Sequence, residues 1–198
     1  MISREIIFKG IDVSELSVSE RELTARLLVK GETNLSLISE IRSEMEKSVD
    51  CKMSAIRIPL KYSENTVELC GVCTVKSENL KRVLGNSREA FLFAVTLGNK
   101  VERHLLRLSR LSVSEHFIAD AIASAYAEAA ADKAQELLDS KAKTKNRFSP
   151  GYGDVPLEIQ KDVLYCLNAE RLLGITLTDT LLMKPQKSIT AIVGIENE

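Results

Sequence analysis

The stretch AFLFAVTLG at residues 90–98 constrains the fold more than any other part of the sequence. It is apolar without interruption, whereas a strand with one face in water alternates apolar and polar residues. We therefore expect a central strand in a sheet that is covered on both faces. Alternating segments at 55–60 (AIRIPL) and 66–75 (TVELCGVCTV) supply two further strands, and 179–195 indicates two more, joined by a turn.

Five segments have the periodicity of helices, and they lie at 15–30, 34–48, 77–86, 99–140 and 155–174. The third begins after Ser77 as N-cap and ends at Gly85. The fifth has Asp154 as a candidate N-cap and Gly174 at its end. Between the fourth and the fifth, KAKTKN at 141–146 predicts a solvated basic loop.

The composition excludes several classes of function. The formal net charge is −1 at pH 7, which argues against an electrostatic grip on nucleic acid or on a membrane surface. No apolar run is long enough to span a bilayer, and the N-terminus MISREIIFKG lacks the apolar region of a signal peptide. We expect a cytoplasmic protein and, because no linker or repeat divides the chain, a single α+β domain over residues 1–198.

The four cysteines are consistent with a reducing cytoplasm. Cys70 and Cys73 form a C-x-x-C within the strand expected at 66–75, where a spacing of three places the two thiols on opposite faces. A metal site or a disulfide would need Gly71 to bend the chain, and no second C-x-x-C or H-x-x-H completes a zinc site. We interpret the pair as small buried side chains and predict no metal site.

The second part of the fourth helix, FIADAIASAYAEAAADKAQELL at 117–138, is rich in alanine. Alanine has the highest helix propensity, and the pattern is typical of a buried core helix. Asp120 and Glu128 lie a little over two turns apart, so they share one face of this helix. Carboxylates on a mostly buried helix need partners, which can be neighbouring backbone groups or a cationic ligand.

The segment RFSPGYGDVP at 147–156 contains more turn-forming residues than any other stretch. Pro150 and Gly151 suit the central positions of a type II turn, and glycine lets a flat ligand approach the main chain. Tyr152 offers a ring for stacking, and Arg147 offers a planar fork for a carboxylate or a phosphate. From these residues alone, the segment is either a structural turn between two helices or a binding loop.

Two motifs, taken in order, resemble the activation domain of cobalamin-dependent methionine synthase. The first is R-x-x-P-G-Y-G at 147–153, and the second, after a helix, is L-T-x-T-L-x-M-x-P-x-x-S-I-T at 177–190. The apolar strand and the alanine-rich helix are a looser match. The resemblance implies a curved single α+β domain, in which helices flank a twisted, mainly antiparallel sheet and S-adenosylmethionine binds in a shallow groove.

The resemblance also implies a ligand site. The residues that would hold S-adenosylmethionine are Arg147, Ser149, Pro150, Gly151, Tyr152 and Glu128. Arg147 matches the arginine suited to the ligand carboxylate, and the turn that follows would hold the adenosine. Family members have an acidic residue shortly before the arginine, whereas residues 141–146 contain none, and Glu128 is the candidate replacement. Phe148 and Ala191 stand where the family has proline and glycine.

In the family, this domain docks on the cobalamin domain when the cobalamin is in the inactive cob(II)alamin form. One electron from a flavodoxin gives cob(I)alamin, which takes a methyl group from S-adenosylmethionine. The present sequence has no D-x-H-x-x-G cobalamin motif, and no catalytic nucleophile or acid–base pair stands out. We therefore expect a stand-alone accessory subunit of methionine biosynthesis that binds S-adenosylmethionine and docks on a separate cobalamin-binding methyltransferase, with flavodoxin or another one-electron donor as a further partner. The alternative is a docking module for a corrinoid protein that does not bind S-adenosylmethionine.

Overall fold

The computed structural model describes residues 5–19, 23, 27 and 33–197. The helix expected at 15–30 lies mostly outside these residues. Within them, Leu23 and Leu27 are helical and buried, and residues 16–19 are not helical. The helix expected at 34–48 is confirmed as α1 (Thr33–Glu46).

The described strands pair antiparallel throughout. They are β1 (Ile7–Ile11), β2 (Cys51–Tyr62), β3 (Val67–Leu69), β4 (Cys73–Val75), β5 (Glu89–Thr96), β6 (Thr144–Phe148), β7 (Thr176–Leu177), β8 (Met183–Lys184) and β9 (Ser188–Ile195). The main sheet has the order β4-β3-β2-β5-β9-β6, with β1 paired to the first residues of β2, and β7 and β8 form a separate pair. The expected α+β class with a mainly antiparallel sheet is confirmed.

Strand β5 lies between β2 and β9, as the uninterrupted apolar run predicts. Its side chains alternate between two hydrophobic cores on the two faces of the sheet. Phe91 and Phe93 belong to one core, and Leu92 and Ala94 belong to the other. Because both faces are covered, every residue of this strand from 90 to 96 is buried, which explains why the sequence shows no alternation.

Helices form a layer on each face of the sheet. The remaining helices are α2 (Glu78–Leu84), α3 (Asn99–Leu111), α4 (Val113–Asp139), α5 (Gln160–Cys166) and α6 (Ala169–Leu173). Helices α1, α3 and α4 contribute to the core that contains Phe91, whereas α2, α5 and α6 contribute to the core that contains Leu92. Helix α2 begins and ends as predicted, at Ser77 and Gly85, and Ser112 separates α3 from α4.

Two expectations on the strands need correction. The segment 66–75 is a hairpin of β3 and β4, because Gly71 adopts a positive φ of 69° and turns the chain. Cys70 and Cys73 therefore flank a turn instead of alternating along one strand, and both are partly exposed, not buried. Burial, Asp162 and Cys166 raise the pKa of Cys73 to about 11, so its thiol is protonated at neutral pH.

The segments after α4 also differ from the expectation. Residues 141–146 are not wholly a loop, since β6 begins at Thr144 and pairs with β9. The helix expected at 155–174 is split at Asn168, whose positive φ of 51° breaks the hydrogen-bond ladder between α5 and α6. The two strands expected at 179–195 are present as β8 and β9, but β8 pairs with β7 and β9 joins the main sheet.

Candidate functional site

A pocket of about 330 Å³ lies at the edge of the main sheet where β6 ends, and we call it the edge pocket. Strand β6 pairs with β9 only from Ile192 to Ile195. Among the described residues, the edge of β9 that faces away from β5 therefore has no strand paired to it at residues 188–190. The lining residues of the edge pocket are Glu128, Arg147, Phe148, Ser149, Pro150, Tyr152, Gln160, Met183, Ser188, Ile189 and Thr190.

Arg147 defines the charged end of the edge pocket. It lies on β6 opposite Val193, and its guanidinium reaches α4 on one face of the sheet. Nη2 donates to Glu128 Oε2 at 3.0 Å, and Nη1 donates to Asp132 Oδ1. Burial acts to lower the pKa of Arg147, but the hydrogen bonds and charges of Asp132 and Glu128 outweigh it and raise the pKa above its ordinary value.

Asp120 and Glu128 have partners, as expected, but the partners are cationic side chains instead of backbone groups or a ligand. Glu128 pairs with Arg147, and Asp120 pairs with Lys187 at 2.8 Å. Lys187 Nζ also donates to Ser124 Oγ at 2.9 Å, one turn further along the same face. Both partners are cationic side chains of later segments, since Arg147 lies on β6 and Lys187 directly precedes β9.

The turn after Arg147 is closed by its own backbone. Gly151 has a φ of 84° and donates to the Val155 carbonyl at 3.1 Å, and Tyr152 donates to the Ser149 carbonyl at 3.2 Å. A Cβ on Gly151 would lie 3.0 Å from Leu157 Cδ1, so this glycine allows the turn to pack on the following segment. Tyr152 is 67% exposed, at the mouth of the edge pocket.

Asp154 does not cap the helix that follows it, so that prediction is wrong. Its carboxylate reaches across to the N-terminus of α2, where it accepts from Ser77 Oγ and from the Glu78 N–H at 2.8 Å. These hydrogen bonds, that of Ser77 first, lower the pKa of Asp154. The N-cap position of the short 3₁₀ turn after it is occupied by Pro156, without a side-chain cap. Asp154 therefore anchors the turn to a neighbouring helix.

The opposite end of the edge pocket is neutral and polar. Gln160, at the start of α5, is only 4% exposed, and Thr190 on β9 is 2% exposed. Thr190 Oγ1 donates to Gln160 Oε1 at 3.3 Å, and Gln160 Nε2 donates to the Leu181 carbonyl at 3.2 Å. Ser188 Oγ lies beside them on β9 and donates to Thr96 Oγ1 at 2.8 Å.

Of the six residues predicted to hold the ligand, five line the edge pocket and Gly151 does not. Their roles toward a ligand stay predictions. Gln160, Ser188 and Thr190 also line the edge pocket and were not among the predicted site residues, although Ser188 and Thr190 belong to the second motif at 177–190. One signal was available, because Ser188 and Thr190 alternate as polar residues at the start of an otherwise apolar strand. Gln160 carries no such signal, since it lies in a helix that is polar at several positions.

Among residues 5–19, 23, 27 and 33–197, no group of three or more His, Cys, Asp or Glu side chains is placed to hold a metal ion. In the same part of the chain, no helix combines the length and the apolar character that a membrane span requires.

Fold and pocket together define an α+β module with a small-molecule-sized groove at the open edge of an antiparallel sheet. The chain belongs to the family of the vitamin B12 dependent methionine synthase activation domain, whose family model matches residues 41–198. Among solved structures it is similar to the MetH reactivation domain bound to AdoHcy, with a TM-score of 0.70 and 14% identity over 96% of this chain and 78% of that chain. A search of curated proteins found no match.

Proposed function

We propose that this protein binds S-adenosylmethionine in the edge pocket and docks, as one activation domain over residues 1–198, on a separate cobalamin-dependent methyltransferase, in the first place methionine synthase. One electron from flavodoxin or another one-electron donor and the methyl group of S-adenosylmethionine convert cob(II)alamin to methylcobalamin and leave S-adenosylhomocysteine. The corrin and the sulfonium carry this chemistry, while the present chain positions the methyl donor. We place the activity in the cytoplasm, where the cysteine thiols stay reduced.

The observation that carries the proposal is the pairing of Arg147 with Glu128 in the wall of a ligand-sized groove. The amino acid part of S-adenosylmethionine carries a carboxylate and an ammonium group. Arg147 has five N–H donors, and its two ion pairs engage one hydrogen on each terminal nitrogen. The remaining hydrogens are available to a ligand carboxylate, and Glu128 is available to the ammonium group.

The net charge of this end also suits the ligand. One guanidinium against the carboxylates of Glu128 and Asp132 leaves a net charge of −1 (+1 − 2). S-adenosylmethionine, with a carboxylate, an ammonium and a sulfonium, carries +1. A phosphate-bearing ligand would meet like charge here, which makes a nucleotide the poorer candidate.

One observation favours the second candidate, a docking module without a ligand. The only guanidinium that lines the edge pocket in the described residues is already neutralised by Glu128 and Asp132. A module of that kind would use the same fold to hold a corrinoid protein in one conformation, and its Arg147 would serve to fix β6 to α4.

Calorimetry with S-adenosylmethionine and S-adenosylhomocysteine separates the two candidates. The proposal expects saturable binding of both, with S-adenosylmethionine bound at least as tightly because of its additional positive charge. Absence of both heat and thermal shift at millimolar ligand would leave the docking module as the function.

Docking on the methyltransferase is tested separately. The proposal expects tighter binding to a partner that holds cob(II)alamin than to one that holds methylcobalamin, because a ligand state shifts an equilibrium only through a difference in affinity. The measurement is biolayer interferometry on the immobilised partner in each cobalamin state. Equal affinity for the two states would contradict a role in reactivation.

A further inference from the structure

We infer that Gln160 selects the base of the bound nucleoside, with its carboxamide paired to N7 and the 6-amino group of adenine. The inference rests on the proposed function, because it assigns a part of the same ligand to the neutral end of the edge pocket. It concerns specificity and not the presence of a site.

The side chain of Gln160 is buried, and its orientation is fixed by two hydrogen bonds. Nε2 donates to the Leu181 carbonyl, and Oε1 accepts from Thr190 Oγ1. Only 4% of Gln160 is exposed, and the residue lines the edge pocket. A buried polar side chain that is held in one orientation can select a ligand whose hydrogen-bonding groups match its own.

The carboxamide retains unused hydrogen-bonding capacity. A glutamine amide has two N–H donors and two acceptor positions on its oxygen. The described residues engage one donor and one acceptor of Gln160, so one N–H and one acceptor position remain. One donor and one acceptor of the same amide are the groups with which glutamine pairs to N7 and the 6-amino group of adenine.

The placement of Gln160 relative to Arg147 matches the two halves of the ligand. Arg147 reaches α4 on one face of the sheet, whereas Gln160 belongs to α5 on the other face. The edge pocket runs between them around the open edge of β9, past Met183 and Ile189. The charged amino acid part fits the end at Arg147, since a charge beside buried Gln160 would lose its hydration. The uncharged base then lies at Gln160.

The test compares S-adenosylhomocysteine with S-inosylhomocysteine by calorimetry. Inosine replaces the 6-amino group with an oxygen, so the oxygen of Gln160 would face a second acceptor. Wild-type protein should bind the adenosine compound on the order of tenfold to a hundredfold more tightly. Gln160→Met keeps the length of the side chain and removes the amide. The affinities of this variant for the two compounds should therefore differ by less than about threefold.

Gln135→Met is the matched control. Gln135 also donates from a side-chain amide, to Thr144 Oγ1 and the Lys145 carbonyl, but it does not line the edge pocket. The Gln135→Met variant should prefer S-adenosylhomocysteine over S-inosylhomocysteine by the same factor as the wild type. Should Gln160→Met fail to fold, Thr190→Val removes the hydroxyl that orients Gln160, and it should lower the preference at least about threefold.

The outcomes separate the inference from the proposed function. Equal affinity of the wild type for both compounds overturns the role of Gln160 and leaves the proposed function standing. A preference that survives in Gln160→Met or, if that variant is unfolded, in Thr190→Val, also overturns the role of Gln160. Absence of binding by the wild type overturns the proposed function, and the inference falls with it.

Discussion

The two ends of the edge pocket are built in opposite ways. At the charged end, the side chain of Arg147 is 27% exposed and that of its partner Asp132 is 69% exposed. At the neutral end, Gln160 and Thr190 are almost completely buried, and a hydrogen bond joins their side chains. One end consists of ion pairs in contact with water, and the other consists of hydrogen bonds that are part of the interior.

Because of this difference, we expect the two ends to contribute unequally to the stability of the fold. Ion pairs at the surface contribute little to folding, because water screens them and solvates their members when they are apart. The charged end is therefore expected to contribute little to the stability of the fold, whether or not it also binds a ligand. A buried amide loses its hydration on folding, and it stabilises the fold only while its partners are present. The neutral end is accordingly rigid and suited to selection.

The largest effect on stability is expected from Gln160→Met. The substitution leaves the Leu181 carbonyl and the Thr190 hydroxyl without their amide partner, which should lower the free energy of unfolding by about 1–3 kcal/mol. Urea denaturation measures this loss. Gln135 is half-buried whereas Gln160 is buried, so the control Gln135→Met should cost less than about 1 kcal/mol. If the two variants lose the same free energy of unfolding, the hydrogen bonds of the neutral end stabilise the fold no more than those of a half-buried amide.

A smaller effect is expected from Arg147→Ala, although this residue has two ion pairs. Removing partly exposed pairs should change the free energy of unfolding by less than about 1 kcal/mol. The same urea titration, repeated at high salt, should show an even smaller difference from the wild type. A loss as large as that of Gln160→Met would mean that Arg147 ties β6 to α4, and the contrast between the two ends would fail.

The smallest effect is expected from Asp154→Asn, which probes the anchor of the turn beside the charged end. Hydrogen bonds from Ser77 and from α2 lower the pKa of Asp154 below the model-compound value of 3.8. A carboxyl whose pKa falls on folding stabilises the folded state above pH 3.8, and this contribution is lost as the pH drops through the folded pKa. The melting temperature of Asp154→Asn should therefore be slightly lower than that of the wild type at pH 7. The two should converge at a pH well below 3.8, and a difference that persists there would exclude the carboxylate as its cause.

The sequence predicts those parts of the structure that local patterns determine. The apolar run at 90–98 identifies the central strand, and Ser77 and Gly85 identify both ends of α2. The motif at 147–153 leads to the charged end of the edge pocket, since its arginine, serine, proline and tyrosine all line it. Each of these signals lies within a few residues of the feature that it predicts.

The parts that were missed depend on contacts between distant segments. Asp154 has the spacing of a helix cap but binds α2, which lies more than seventy residues earlier in the chain. Thr144 lies in a basic, polar segment whose residues form a strand only because β9 offers an edge for pairing. Gln160 meets Thr190 across 30 residues. No local pattern encodes such pairs, so the alternation of Ser188 and Thr190 at the start of β9 does not by itself indicate Gln160 as their neighbour.

The affinity of Arg147→Ala for S-adenosylmethionine tests the central claim most directly. If Arg147 holds the ligand carboxylate, calorimetry should show a loss on the order of tenfold to a hundredfold, with a melting temperature close to that of the wild type. Arg57→Ala is the matched control, because Arg57 pairs with Glu89 and lies outside the edge pocket, so its affinity should be unchanged. An affinity of Arg147→Ala equal to that of the wild type would contradict the claim that the charged end of the edge pocket binds S-adenosylmethionine.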